Sequence, residues 1–171
     1  MATTYYADNY SIPPPSGPFG GVQAAPFVFT VKTALVDEDK IYLVQLAAGN
    51  SPGFNLLSIF VDIPDLDSGS NLVMELGDDD DPNRYMTTTL SGALGRAVDA
   101  CAVINSQAPS IPFAAGVSQA GCIKSSLPAK YNHQNNLIIR VETAPNTGTI
   151  SVAITGWITY CQLGTSPFTA V

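Results

Sequence analysis

The feature that most constrains this chain is a period of two in its apolar residues. Phe27, Phe29, Val31 and Leu35 alternate with Val28, Thr30, Lys32 and Ala34, and Leu137, Ile139 and Val141 alternate with Ile138, Arg140 and Glu142. Successive side chains of a strand point to opposite faces, so each segment builds a ribbon with one wall toward a core. Polar turns separate the segments. Asp37-Glu-Asp-Lys40 precedes a returning strand over 41–47, Gly49-Asn-Ser-Pro-Gly53 forms the next loop, and Leu57, Ile59, Val61 and Ile63 form a third inward row that Pro64-Asp65 stops. Leu72, Met74 and Leu76 mark a fourth strand. Near the end, Ala144-Pro-Asn-Thr-Gly148 has the chemistry of a hairpin turn, with Asn146 or Gly148 supplying any positive φ. Ile150, Val152, Ile154, Ile158 and Tyr160 then form the inward row of a closing hairpin, and Gly156 within it marks a bulge or a close backbone approach.

Strands joined by polar turns, without intervening amphipathic helices, predict an all-β fold, an antiparallel, jelly-roll-like β-sandwich. The middle is less regular. Leu90, Leu94, Ala97 or Val98, and Cys101 recur at helical spacing, but Gly92 and Gly95 interrupt them, so a short helix or an irregular crossing is expected there. Pro109, Pro112 and Gly116 punctuate a connection after it.

Residues 1–25 read differently from the domain over 26–171. Tyr-rich clusters lead into Ile12-Pro-Pro-Pro-Ser-Gly-Pro-Phe-Gly-Gly, and consecutive prolines favour an extended polyproline conformation without internal hydrogen bonds. The segment reads as an arm, either a strap laid on a neighbouring molecule through Tyr5, Tyr6, Tyr10 and Phe19 or a frayed terminus.

The chemical inventory is small. His133 is the single histidine, and Cys101, Cys122 and Cys161 have no metal-ligand spacing; they read as small buried hydrophobes, the alternative being a disulfide between two of them. Gly49-Asn50-Ser51-Pro52-Gly53 matches the outline of a nucleophile elbow, but Pro52 lacks the N–H an oxyanion needs, and strand rather than helix follows. Asp78-Asp-Asp-Asp81 reads as a solvated turn, the alternative being a calcium loop, and Asp65-Leu-Asp67 is a second acidic turn. No catalytic residue, metal or cofactor is expected. A net charge of −7, with seven scattered basic residues, argues against a nucleic-acid partner. Nothing approaches the roughly 18 apolar residues that span a bilayer, and the first residues lack a secretory pattern, so synthesis in the cytoplasm is expected.

With 46% apolar and only 12% charged residues, the chain invests in a core and a neutral polar surface. Met1-Ala-Thr-Thr-Tyr-Tyr-Ala-Asp8, the segment Lys32 to Gly49 and the acidic turn Glu75 to Tyr85 resemble those of capsid decoration, or cement, proteins and minor head proteins of tailed bacteriophages. The resemblance implies a β-rich, non-enzymatic virion protein on the outer capsid surface, with the major capsid protein and copies of itself, as a homotrimer, for partners. A reading from another class is a carbohydrate-binding β-sandwich, in which Trp157, Tyr131 and Tyr160 stack on a sugar.

Overall fold

The computed structural model describes residues 1–14, 21–47, 54–67, 71–89, 96–99, 121–123, 129–131 and 133–162. These residues form strands β1 (Thr4–Tyr6), β2 (Gln23–Val31), β3 (Lys40–Ala47), β4 (Phe54–Ile63), β5 (Val73–Asp78), β6 (Met86–Thr89), β7 (Arg96–Asp99), β8 (Gly121–Ile123), β9 (Ala129–Tyr131), β10 (Asn135–Thr143) and β11 (Val152–Gln162). The first sheet runs β1-β3-β10-β5-β6-β8; the second runs β2-β11-β4-β7, with β9 also pairing β4. All pairs are antiparallel except β1 with β3. The sheets pack together as an all-β sandwich.

The alternating residues explain the core. Ile41, Ile139 and Leu76 lie side by side across the first sheet, and Phe29 faces Ile154 in the second, all buried. Each strand hides its apolar wall against the other sheet, at roughly 1.5–3 kcal/mol for each large side chain taken from water.

Bulges interrupt the simple period. Between β4 and β11 the register passes from Ser58 to Leu56, leaving Leu57 without a partner. The inward row is therefore Phe54, Leu56, Ile59, Val61 and Ile63, and Leu57, expected inward, is half-buried. An extra residue in one strand inverts the facing of everything before it. Leu43 plays the same part in β3, where the register passes from Val44 to Tyr42. Gly156 lies in unbroken pairing and marks a close approach: a Cβ there would fall 2.1 Å from the Phe60 carbonyl oxygen and 2.5 Å from the Phe27 ring.

The expected closing hairpin does not form, because β10 belongs to the first sheet and β11 to the second. Residues 144–151 instead arch between the sheets. The Asp67 carboxylate accepts a hydrogen bond from Thr147 N (3.3 Å), Asp67 bridges Gly148, and Ser151 N donates to Val31 O (2.8 Å). Positive φ falls at Ser151 (65°), and at Glu38 (67°) in the turn before β3, rather than at Asn146 or Gly148. Ile150 consequently sits outside the core, 51% exposed. Within the stretch expected to be helical or irregular, residues 96–99 are strand β7, paired with β4; its other residues, with the loop over 49–53 and the connection over 109–116, lie outside the described residues.

Candidate assembly interface

The N-terminal segment lies along one side of its own sandwich and joins the two sheets there. Lys40 N donates to Thr3 O (3.0 Å) and Ala7 N to Tyr42 O (2.8 Å), which seats β1 on the edge of the first sheet. The chain then crosses to the second sheet. Asp8 N donates to Val28 O (2.7 Å), the Asn9 side chain bonds Pro26 O and Val28 N, and Asp8 Oδ2 accepts from Thr30 N (3.0 Å) and Thr30 Oγ1 (2.6 Å). Those bonds occupy the open edge of β2. The Thr30 hydroxyl in particular holds the Asp8 carboxyl below its usual range. Beyond it, Gln45 N donates to Ser11 O (3.1 Å) and the Tyr160 hydroxyl to Pro14 O (2.8 Å).

The expected partner-binding tyrosines separate into two roles. Tyr5 is turned toward its own core, its ring 5.8 Å from Phe29 and its hydroxyl 3.2 Å from Thr33 Oγ1. Tyr6 faces out, 53% exposed, with its ring 5.1 Å from Tyr10 and 5.3 Å from Tyr42, both edge-on. The half-buried Tyr10 donates to Asn136 Oδ1 (2.5 Å). Phe19 lies outside the described residues. Tyr42, which completes the cluster, was missed in the sequence because its strand was read for its apolar row alone; its register with Tyr6 places both on the same face.

An acidic turn borders this cluster. Asn136 Nδ2 donates to Asp79 Oδ2 (2.6 Å), and Asp79 lies close enough to both Tyr10 and Tyr42 to discourage their ionisation. Burial, and then these charges, push both phenols above the usual tyrosine value.

The turn itself is not the wholly solvated one expected from its charges. Asp78 is completely buried, accepting from Asp80 N (3.1 Å), Asp81 N (2.9 Å), Arg84 Nε (2.5 Å) and the Tyr131 hydroxyl (2.6 Å). Since Asp78 is in the first sheet and Tyr131 in the second, the carboxylate ties the layers together. The buried Tyr85 hydroxyl contacts that of Tyr131, and burial together with Asp78 pushes the Tyr85 phenol far up. In the same way Asp67, also buried, accepts from Asn71 N and Leu72 N at 3.0 and 3.1 Å. Both acidic turns thus spend an inward carboxylate on backbone N–H groups. Only Asp79 and Asp80 of the run are exposed. His133 is exposed too, with Nε2 3.1 Å from Asp80 Oδ2. No group of three or more His, Cys, Asp or Glu able to hold a metal occurs among the described residues.

The outer face of the second sheet carries different chemistry. Pro26, Trp157 and Phe60 lie in one cross-strand row, and the Trp157 ring stacks on Phe60 at 4.1 Å and 16°. Ala24, Thr159 and Ser58 form the row beside it, with Ser58 Oγ 2.5 Å from Thr159 Oγ1. Of the aromatics considered for sugar stacking, only Trp157 is accessible, at 44%; Tyr131 and Tyr160 are buried in the core. Of the cysteines, Cys161 is half-buried, at the end of β11.

No protein-family model and no curated protein sequence matches the chain. Among solved structures, a chain in the capsid of Ralstonia phage GP4 matches with a TM-score of 0.61 and 23% identity, over 90% of this chain and 91% of that one. A chain of the cyanophage Pam1 capsid asymmetric unit matches with a TM-score of 0.52 and 15% identity, over 84% and 86% of the two chains. The near-equal coverages mean that both matched chains are of about this length. This protein shares its fold with chains of two phage capsids.

Proposed function

We propose that this protein is a non-enzymatic structural subunit of a tailed-bacteriophage virion, a decoration or cement subunit that binds the outer surface of the capsid and joins the major capsid protein as a homo-oligomer, a trimer. The observation that carries the proposal is the fold shared end to end with a chain of a phage capsid, at 90% coverage of this chain and 91% of the other. A match of that kind takes in the whole sandwich rather than one motif.

The surface chemistry agrees with this reading. Tyr6, with Tyr10 beside it, presents aromatic area to a partner from a segment already pinned at both sheet edges, so little chain entropy is lost on docking. A net charge of −7 opposes contact with packaged nucleic acid. The protein would be made in the host cytoplasm and end on the virion surface.

Electron cryomicroscopy of virions of the phage that encodes this chain, together with electrophoresis of the purified particles, tests the proposal. Density for the sandwich on the outer lattice in stoichiometric amount is expected. Virions that contain none of the protein overturn it.

A further inference from the structure

We propose that the Tyr6–Tyr10–Tyr42 cluster and Asp79 form a docking site for a basic side chain, carried on an extended segment of a partner protein that adds as a strand beside β1. The partner's place in a capsid rests on the function proposed above; its chemistry rests on the geometry here.

Three tyrosine rings meet edge to face at 5.1 and 5.3 Å around the exposed Tyr6, a grouping that offers π faces to a cation. Charge complementarity selects the occupant. Exposed Asp79 borders the cluster, its carboxylate accepting from Asn136 Nδ2 (2.6 Å) while the Tyr10 hydroxyl donates to Asn136 Oδ1 (2.5 Å), and exposed Asp80 follows it in the turn. The neighbouring row of the same face carries Lys40 and Arg140, the latter engaged by Glu75 (2.6 Å) and Glu38 (3.2 Å), so these two cations face the four carboxylates of Glu38, Glu75, Asp79 and Asp80 and the balance stays negative.

The backbone supplies the second half of the argument. Thr3 O and Ala7 N are bonded to β3, so by the alternation of a parallel ladder the N–H and C=O groups of Thr4 and Tyr6 point away from it. Since β1 ends its sheet among the described residues, those groups can pair with an added strand as far as Asp8, whose N–H is taken by Val28 O of the chain's own β2. Such a strand would run beside Tyr6 and carry alternate side chains over its ring. Arginine suits the site best, because its planar cation stacks on a ring while its N–H groups reach a carboxylate.

The test uses a short peptide alternating arginine and glycine, its glutamate counterpart, and the full-length protein, read by NMR of the tyrosine rings. Saturable shifts of Tyr6, Tyr10 and Tyr42 with the arginine peptide alone are expected, weakening with added salt. Tyr6→Phe should keep the affinity, whereas Tyr6→Leu and Asp79→Asn should each lower it about tenfold. Equal response to both peptides, or no response at millimolar arginine peptide, overturns the proposal. Cosedimentation of the same variants with heads stripped of the protein separates the two readings: heads that do not retain the wild type count against the capsid role, while the peptide result stands by itself.

Discussion

On the outer face of the first sheet Ile138 is fully buried, although it lies outside the main core; on the outer face of the second, Trp157 is 44% exposed. Both are large apolar residues in the middle of a central strand. Ile138 is flanked by Tyr42 and Gly77, and the acidic turn folds back so closely that a Cβ on Gly77 would fall 2.1 Å from the Asp81 carbonyl oxygen. The N-terminal segment adds Tyr6 and Tyr10 to that face. Trp157 stacks on Phe60, with Pro26 on its other side in the row. Among the described residues, one face is therefore roofed by the protein's own chain and finished with carboxylates and phenols, while the other presents a mostly uncharged sheet surface. A chain with so few charges still has two distinct surfaces, because among the described residues the acidic turn and the N-terminal segment both cover the first.

The largest effect expected from this contrast belongs to the carboxylate that anchors the roof. Asp78→Ala should cost about 3 kcal/mol in urea unfolding, since it strands the Tyr131 hydroxyl, two backbone N–H groups and Arg84 together. The figure stays at the lower end of the range for a broken buried pair because the Arg84 side chain is 34% exposed. A loss below about 1 kcal/mol would mean that the turn is held by its other contacts.

Next comes a direct comparison of the faces. Ile138→Ala should cost about 2–3 kcal/mol, as in a core, whereas Phe60→Ala, at a half-buried position, should cost about 1 kcal/mol. Equal losses would erase the distinction between a covered and an open face.

Alkaline pH should loosen the covered face first. Burial raises the phenol pKa of Tyr10 and Tyr42 on the covered face, and of Tyr85 and Tyr160 in the core, in the folded state. Their contribution is then complete below the unfolded tyrosine value of about 10 and is lost as pH rises through the higher folded values. Melting temperature should hold constant from about pH 7 to 9 and fall above about pH 10, with tyrosine absorbance changing before the Trp157 fluorescence. Simultaneous changes in both signals would break the comparison. The smallest effect is expected for Trp157→Ala, at about 0.5 kcal/mol of stability from the lost stack on Phe60, with the tyrosine NMR signals unmoved.

Much of the sandwich was legible in the chain. The rows Phe27-Phe29-Val31, Leu72-Met74-Leu76 and Leu137-Ile139-Val141 are all buried as their alternation predicts. Leu57 was misread because a bulge leaves no local mark: the inserted residue is as apolar as its neighbours, and the inversion comes from the pairing with β11. The closing hairpin was misread for a related reason. Two alternating strands with a turn between them look alike whether they pair with each other or lie in opposite sheets. For the candidate interface, the aromatic content of the N-terminal segment was visible, but the inward turn of Tyr5 and the outward turn of Tyr6 became assignable only once the segment was paired with β3.

By itself, the sequence determined that this protein is built of strands, because side-chain alternation along an extended backbone is a local property written residue by residue. It also determined that the chain is sparsely charged, net acidic and poor in histidine and cysteine, since composition does not depend on contacts. Tertiary structure decided which strands share a sheet, which carboxylates turn inward and which tyrosines face outward. Each of those outcomes depends on hydrogen bonds between residues far apart in the chain, such as Asp78 with Tyr131 and Tyr10 with Asn136, and no local pattern encodes such a partner.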